Sequence, residues 1–158
     1  MVITFQLGLF VPGVTAFFIP GGVEWTTLAA QYLDFPLHRW LTQVHIGVQA
    51  MDTAYPFIFY GTDWLAFAHI LFTILFIGVF RDPVRNKWIV DFGLIACVLI
   101  FPTALLAGWV REIPLAWRWM DCAFGVIGIF VLLPIKSWIK QLETFETTYS
   151  TTVLTAHA

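Results

Sequence analysis

The chain has 158 residues, of which 59% are hydrophobic and 11% charged, and its mean hydropathy is +0.83. A soluble domain carries about 25% charged residues, so this composition excludes an ordinary water-soluble globule and a disordered chain and points to a polytopic membrane protein. Eight basic and ten acidic residues give a net charge of −2, which offers no basic face to nucleic acid, and the two cysteines form no CxxC or Cys/His cluster for zinc or iron–sulfur.

The first apolar run, residues 3–19, is uncharged and is expected to be a spanning helix kinked at Pro12, whose missing N–H removes a backbone bond. A re-entrant or interfacial segment is the alternative. No Lys or Arg falls in residues 1–20, unlike a secretory signal.

Residues 20–62 form the one large loop. A short helix is expected around Thr26–Leu33. Leu37, Trp40, Leu41, Val44, Val48 and Met51 then recur at helical spacing, which predicts an amphipathic helix over about 36–52, started by Asp34 and Pro36. Its polar side would carry His38, Thr42, His45, Gln49 and Asp52. His38, His45 and Asp52 are seven apart, so about 10 Å separates neighbours, too far to share one metal ion. The helix is expected on the outer membrane surface or over the bundle mouth.

Tryptophans bracket the later spans. Trp64 opens the run predicted over 63–80. Trp88 and Trp109 bound the next, over 84–110, and Trp117, Trp119 and Trp138 bound the last, over 116–136. Indole rings favour the headgroup level. The 21 residues from Trp88 to Trp109 reach roughly 32 Å as helix, the thickness of a bilayer core. The fold class is therefore an all-α polytopic membrane helix bundle of four spans plus an outer amphipathic helix. Residues 1–146 form a single membrane domain, and the Thr-rich segment 147–158 a flexible cytoplasmic tail.

Loop charge sets the orientation. Arg81, Arg85, Lys87, Lys136 and Lys140 lie at one end of the spans, and Arg39, Arg111 and Arg118 at the other. The positive-inside rule places the first group in the cytoplasm, with both termini there if the first run spans. Asp82-Pro83 is expected to cap a tight turn into the span over 84–110.

Ionisable residues within spans face the bundle interior or a partner. Asp63 suits a helix N-cap, or else a proton or substrate carboxylate. His69 is the one histidine within a span. It could hydrogen-bond a neighbouring helix, shuttle protons, or ligate a haem or chlorophyll-type metal. Arg118 and Asp121, three apart, suggest an intrahelical pair beside Arg111 and Glu112. Together Asp63, His69, Arg111, Arg118 and Asp121 could instead converge on an outer polar pocket for protons, a quinone or another anionic group. Asp91 is expected to pair with Lys87, Arg81 or Arg85. Cys97 and Cys122 lie at different depths, as packing residues rather than a disulfide. Ala104 and Gly108, and Ala123, Gly125 and Gly128, mark close helix approach.

The blocks Tyr-Pro-Phe (55–57), Tyr-Gly-Thr-Asp-Trp-Leu-Ala-Phe-Ala-His (60–69), Arg-Asp-Pro-Val-Arg-Asn-Lys-Trp (81–88), Phe-Gly-Leu-Ile-Ala-Cys (92–97), Arg-Glu-Ile-Pro (111–114) and Asp-Cys-Ala-Phe-Gly (121–125) resemble a family of small bacterial integral-membrane proteins of uncharacterised activity. The resemblance covers about residues 55–143. It implies a bacterial inner-membrane location and a helical bundle, and it transfers no catalytic residue.

No nucleotide, phosphate-loop, zinc-protease or serine-hydrolase motif is present. The expected function is therefore a non-catalytic accessory or structural subunit, requiring no cofactor. It would lie in lipid against the helices of a larger respiratory or photosynthetic complex. The alternatives are a small membrane enzyme or carrier using the outer pocket, or a haem- or pigment-binding protein through His69.

Overall fold

A computed structural model describes residues 1–19 and 35–156, with side chains from 38 onward in the second stretch and up to 152. The expected helix at Thr26–Leu33, the Asp34 cap and the Leu37 side chain lie outside the described residues. All described elements are helical: α1 Val2–Ala16, α2 Phe35–Ala54, a 3-10 turn Pro56–Phe59, α3 Tyr60–Leu75, α4 Ile77–Arg81, α5 Lys87–Val110 and α6 Leu115–Ala156.

Three stretches are long and apolar enough to cross a membrane: Pro56–Arg81 (26 residues), Lys87–Val110 (24 residues) and Leu115–Thr152 (38 residues). Helix α1 is apolar but has 15 residues, about 22 Å at 1.5 Å per residue, short of a hydrocarbon core of about 30 Å. Length and composition thus carry three crossings where the sequence suggested four. Only 17%, 22% and 33% of the three apolar windows is buried within the protein. So much outward apolar surface requires a non-aqueous surrounding, which lipid supplies.

The chain divides into two compact units, one of Leu7–Thr73 and one of Met1–Gln6 together with Ile74–Ala158. In the first, α1 meets α3 at Gly13. A Cβ there would stand 2.8 Å from His69 Cβ and 3.3 Å from the Ala66 carbonyl oxygen, and Ala66 is fully buried. Glycine is required because no larger residue admits so close an approach of the helices. Helix α2 occupies the stretch over which a helix at 36–52 is expected, and its covered face is broader than the apolar stripe. Leu41 is buried and Met51 exposed, while His38, Thr42 and His45 are half-buried rather than solvated. Trp40, Val44 and Val48 of the expected stripe are half-buried as well, so the stripe is uncovered only towards its far end at Met51.

In the second unit α5 and α6 pack antiparallel. A Cβ on Gly125 would stand 2.7 Å from the Cys97 carbonyl oxygen, one on Gly128 would overlap Cys97 Sγ, and one on Gly93 would stand 2.8 Å from Leu132 Cδ1 and 2.9 Å from Phe76 Cζ. These contacts, with buried Ile89, Val90, Cys122, Ile135 and Ile139, form the core of the hairpin. Cys97 and Cys122 are both buried free thiols. The Phe5 ring of α1 packs on Phe76 at 4.7 Å between centroids.

The turn from α4 to α5 is tight, as expected, but its caps differ. Asp82 Oδ1 accepts from Arg85 N at 3.0 Å, closing a single turn over 83–86 rather than starting the long helix, which begins at Lys87. Asn86 Nδ2 donates to the Gly78 and Asp82 carbonyl oxygens at 3.1 and 2.9 Å. Both carbonyls also accept a backbone N–H, Gly78 O from Asp82 and Asp82 O from Asn86, so the amide reinforces a turn that the backbone already closes.

Trp88 and Trp109 stand at opposite ends of α5, both more than half exposed. Helix α6 runs 42 residues without interruption, about 63 Å, twice what a bilayer core needs. It continues through the segment in which the sequence suggested a tail without regular structure. Its threonines accommodate to the helix by turning their hydroxyls inward: Thr144, Thr147, Thr148, Thr151 and Thr152 each donate to the carbonyl four residues back, at 2.8–2.9 Å.

Candidate functional site

Of the five residues expected at an outer pocket, Asp63 and His69 belong to the first unit and Arg111, Arg118 and Asp121 to the second. Asp63 lies in the first turn of α3, half-buried. It is not an N-cap, because Pro56 already opens the continuous helical stretch with its fixed φ. Seven residues into that stretch, it lies beyond the first turn, the part where the helix dipole acts. His69 Nδ1 is 2.8 Å from the Leu65 carbonyl oxygen. A carbonyl only accepts, so Nδ1 carries the proton and a neutral ring keeps its lone pair on Nε2. That nitrogen is the one a haem or chlorophyll-type metal would take. Among the described residues no three His, Cys, Asp or Glu side chains gather as metal ligands.

Arg118 does not pair with Asp121 among the described residues. Its Nε donates instead to the Ile113 carbonyl oxygen at 2.7 Å, and its stem lies over Gly108, where a Cβ would stand 2.7 Å from Arg118 Cγ and Cδ. The reason is the end of α5. Ile113 N bonds Gly108 O at 2.8 Å and Glu112 N bonds Trp109 O at 3.2 Å, the two bonds of a Schellman motif, with Glu112 in the left-handed position at φ 56°. The motif turns the chain and exposes the Ile113 carbonyl, and Arg118, one turn into α6, reaches back to it. Arg111 is exposed and Asp121 half-buried.

A non-glycine residue in the left-handed region is strained by about 1 kcal/mol. Glu112→Gly is therefore expected to stabilise the protein by about 0.5–1 kcal/mol. A thermal midpoint in detergent that rises relative to wild type checks this, and a fall would show that the Glu112 side chain holds the turn.

The other end of the hairpin gathers charge that sequence spacing assigned differently. Lys136 pairs with Asp91 and Lys87 with Glu143, each at 2.5 Å, between side chains that are about half exposed. Spacing alone would pair Asp91 along its own helix or across the adjoining turn. Lysine preceding an acid by four residues is the weaker orientation of a helical pair, and the antiparallel neighbour supplies better-placed partners. Half-exposed pairs contribute about 0–1 kcal/mol each, so they fix register and side-chain position more than stability. Lys87, Asp91, Lys136, Lys140 and Glu143 rim a cleft of about 330 Å³ floored by Val90 and Ile139. Sequence reasoning missed this grouping. The signal was present in the short turn at 111–114, which places residues at nearly equal distances from it, such as Asp91 and Lys136, side by side.

The class that the fold defines is an all-helical protein with three helices able to cross a membrane. Compared with known proteins, the chain matches no family model, no curated protein and no solved structure. No residue role is therefore carried over from a relative.

Proposed function

We propose that the protein is a non-catalytic integral membrane subunit that packs against a larger membrane complex, an energy-converting one of the respiratory or photosynthetic kind in the bacterial cytoplasmic membrane. The observation that carries this reading is the far end of α6. After Lys140 the helix continues with Leu142, Phe145 and Tyr149 on one stripe, at spacings of three and four residues. All three are exposed, Phe145 at 70% and Tyr149 at 64%. Lipid accounts for exposed apolar surface between Leu115 and Lys136. It does not cover a stripe that runs on for about two and a half turns past the last of the basic residues, Lys140. A protein partner does.

The basic residues support a cytoplasmic position for this extension, since five of the eight lie at its end of the spans. The residues considered for chemistry support the same reading. Arg118 serves the turn and His69 Nδ1 bonds its own helix.

Purification in a mild detergent followed by mass spectrometry tests the proposal. The expected result is co-elution, in fixed proportion, with integral subunits of one complex. Recovery as a lone monomer at every detergent strength overturns it.

A further inference from the structure

The cleft between α5 and α6 has no part in the partner-docking stripe, and its chemistry is distinct. Three ammonium groups, those of Lys87, Lys136 and Lys140, and two carboxylates, those of Asp91 and Glu143, surround an apolar floor of Val90 and Ile139. Trp88 follows Lys87 and Trp138 lies between Lys136 and Lys140; both indoles are more than half exposed, as headgroup-level anchors are. The cleft thus stands at the height where lipid phosphates lie.

We infer that this cleft binds the phosphodiester headgroup of an anionic lipid, with the lipid's acyl chains running down the apolar surface of α5 and α6 below it. The ion pairs prepare the site. Asp91 and Glu143 hold Lys136 and Lys87 at the rim, and an ammonium that gives one hydrogen to a carboxylate keeps two for a phosphate. Lys140 has no ion-pair partner among the described residues and offers all three. The rim carries a net charge of +1, and Arg81 and Arg85, both exposed near the same end of the hairpin, add to the attraction. A basic pocket between membrane helices on the cytoplasmic side suits an anionic headgroup better than a zwitterionic one, whose own ammonium the lysines repel.

Native mass spectrometry of the protein released from nanodiscs of equal phosphatidylglycerol and phosphatidylcholine tests the inference. Wild type is expected to retain one phosphatidylglycerol in preference to phosphatidylcholine. Lys140→Gln, a change on an exposed side chain that leaves helical content intact, is expected to lower that retention about fivefold. Arg111→Gln, at the far end of α5, is expected to leave it unchanged. Equal retention of the two lipids, no effect of Lys140→Gln, or an equal loss with Arg111→Gln overturns the site. Displacement of the lipid by millimolar inorganic phosphate overturns the lipid assignment, because a headgroup tethered by its acyl chains does not exchange for a free ion at that concentration.

Discussion

Replacing Gly125 by alanine is expected to lower the stability of the α5–α6 hairpin by about 1–2 kcal/mol. In a membrane helices gain little from the hydrophobic effect by associating, so close packing carries the contact. The new methyl would meet the Cys97 carbonyl oxygen at 2.7 Å and Phe101 Cε2 at 3.1 Å. The first is backbone and cannot rotate away, so the helices must separate. Overpacking of this kind costs about 1–3 kcal/mol, against a gain of up to about 1 kcal/mol from replacing glycine within a helix. Gly8→Ala is the matched comparison, because nothing lies within 4 Å of the added atom, and it is expected to be neutral or slightly stabilising. Denaturation in mixed detergent micelles, followed by circular dichroism, measures both. A Gly125→Ala midpoint equal to that of Gly8→Ala would show that the helices are not in backbone contact there.

That contact illustrates what the sequence disclosed. Gly125 and Gly128 stood out as small residues in an apolar run, and both meet α5. The residue they meet, Cys97, was legible only as a small apolar side chain of its own helix. Gly93, which admits Leu132 and Phe76, was not singled out, although the small, buried Cys97 stands four places on and completes the same close-approach face. Tryptophan spacing located α5 to within about three residues, since the indole preference for the interface is local and strong. Helix starts were less legible. Pro56 begins a helical stretch seven residues before the expected start at 63, because the 3-10 turn and α3 join without a break. Tertiary pairing explains the remaining differences. Arg118 and Asp121 satisfy the spacing of a helical ion pair, yet an exposed carbonyl at Ile113 competes for the guanidinium and lies within reach. Lys87 and Asp91 satisfy the same spacing and are drawn apart by Glu143 and Lys136. Periodicity within one helix describes its faces; which face is covered, as with His38 and His45 on α2, depends on a neighbour the pattern does not contain.

Loss of the apolar stripe on the α6 extension is expected to abolish recovery of the partner. Burying leucine, phenylalanine and tyrosine side chains contributes about 1.5–3 kcal/mol each, so Leu142→Gln, Phe145→Gln and Tyr149→Gln combined should weaken association by at least about a hundredfold. Glutamine keeps the helix, being nearly as good a helix former as leucine, and all three side chains are exposed, whereas the core residues Leu132, Ile135 and Ile139 are buried and unchanged. The ring stacking of Phe145 on Tyr149, at 6.5 Å and 14°, is lost as well, but it is exposed and adds little to the fold. Thr144→Gln, Thr147→Gln and Thr151→Gln, on the opposite side of the same turns, provide the comparison and are expected to leave recovery at the wild-type level. Helical content and membrane insertion are measured alongside, so that a failure to dock is separated from a failure to fold. If the stripe variant recovers the same companions as wild type, the extension is not the docking element. If both triple variants lose them equally, the extension acts through its helical integrity rather than through the stripe. Selective loss with the stripe variant alone is the result that a helix presenting an apolar face beyond the bilayer requires.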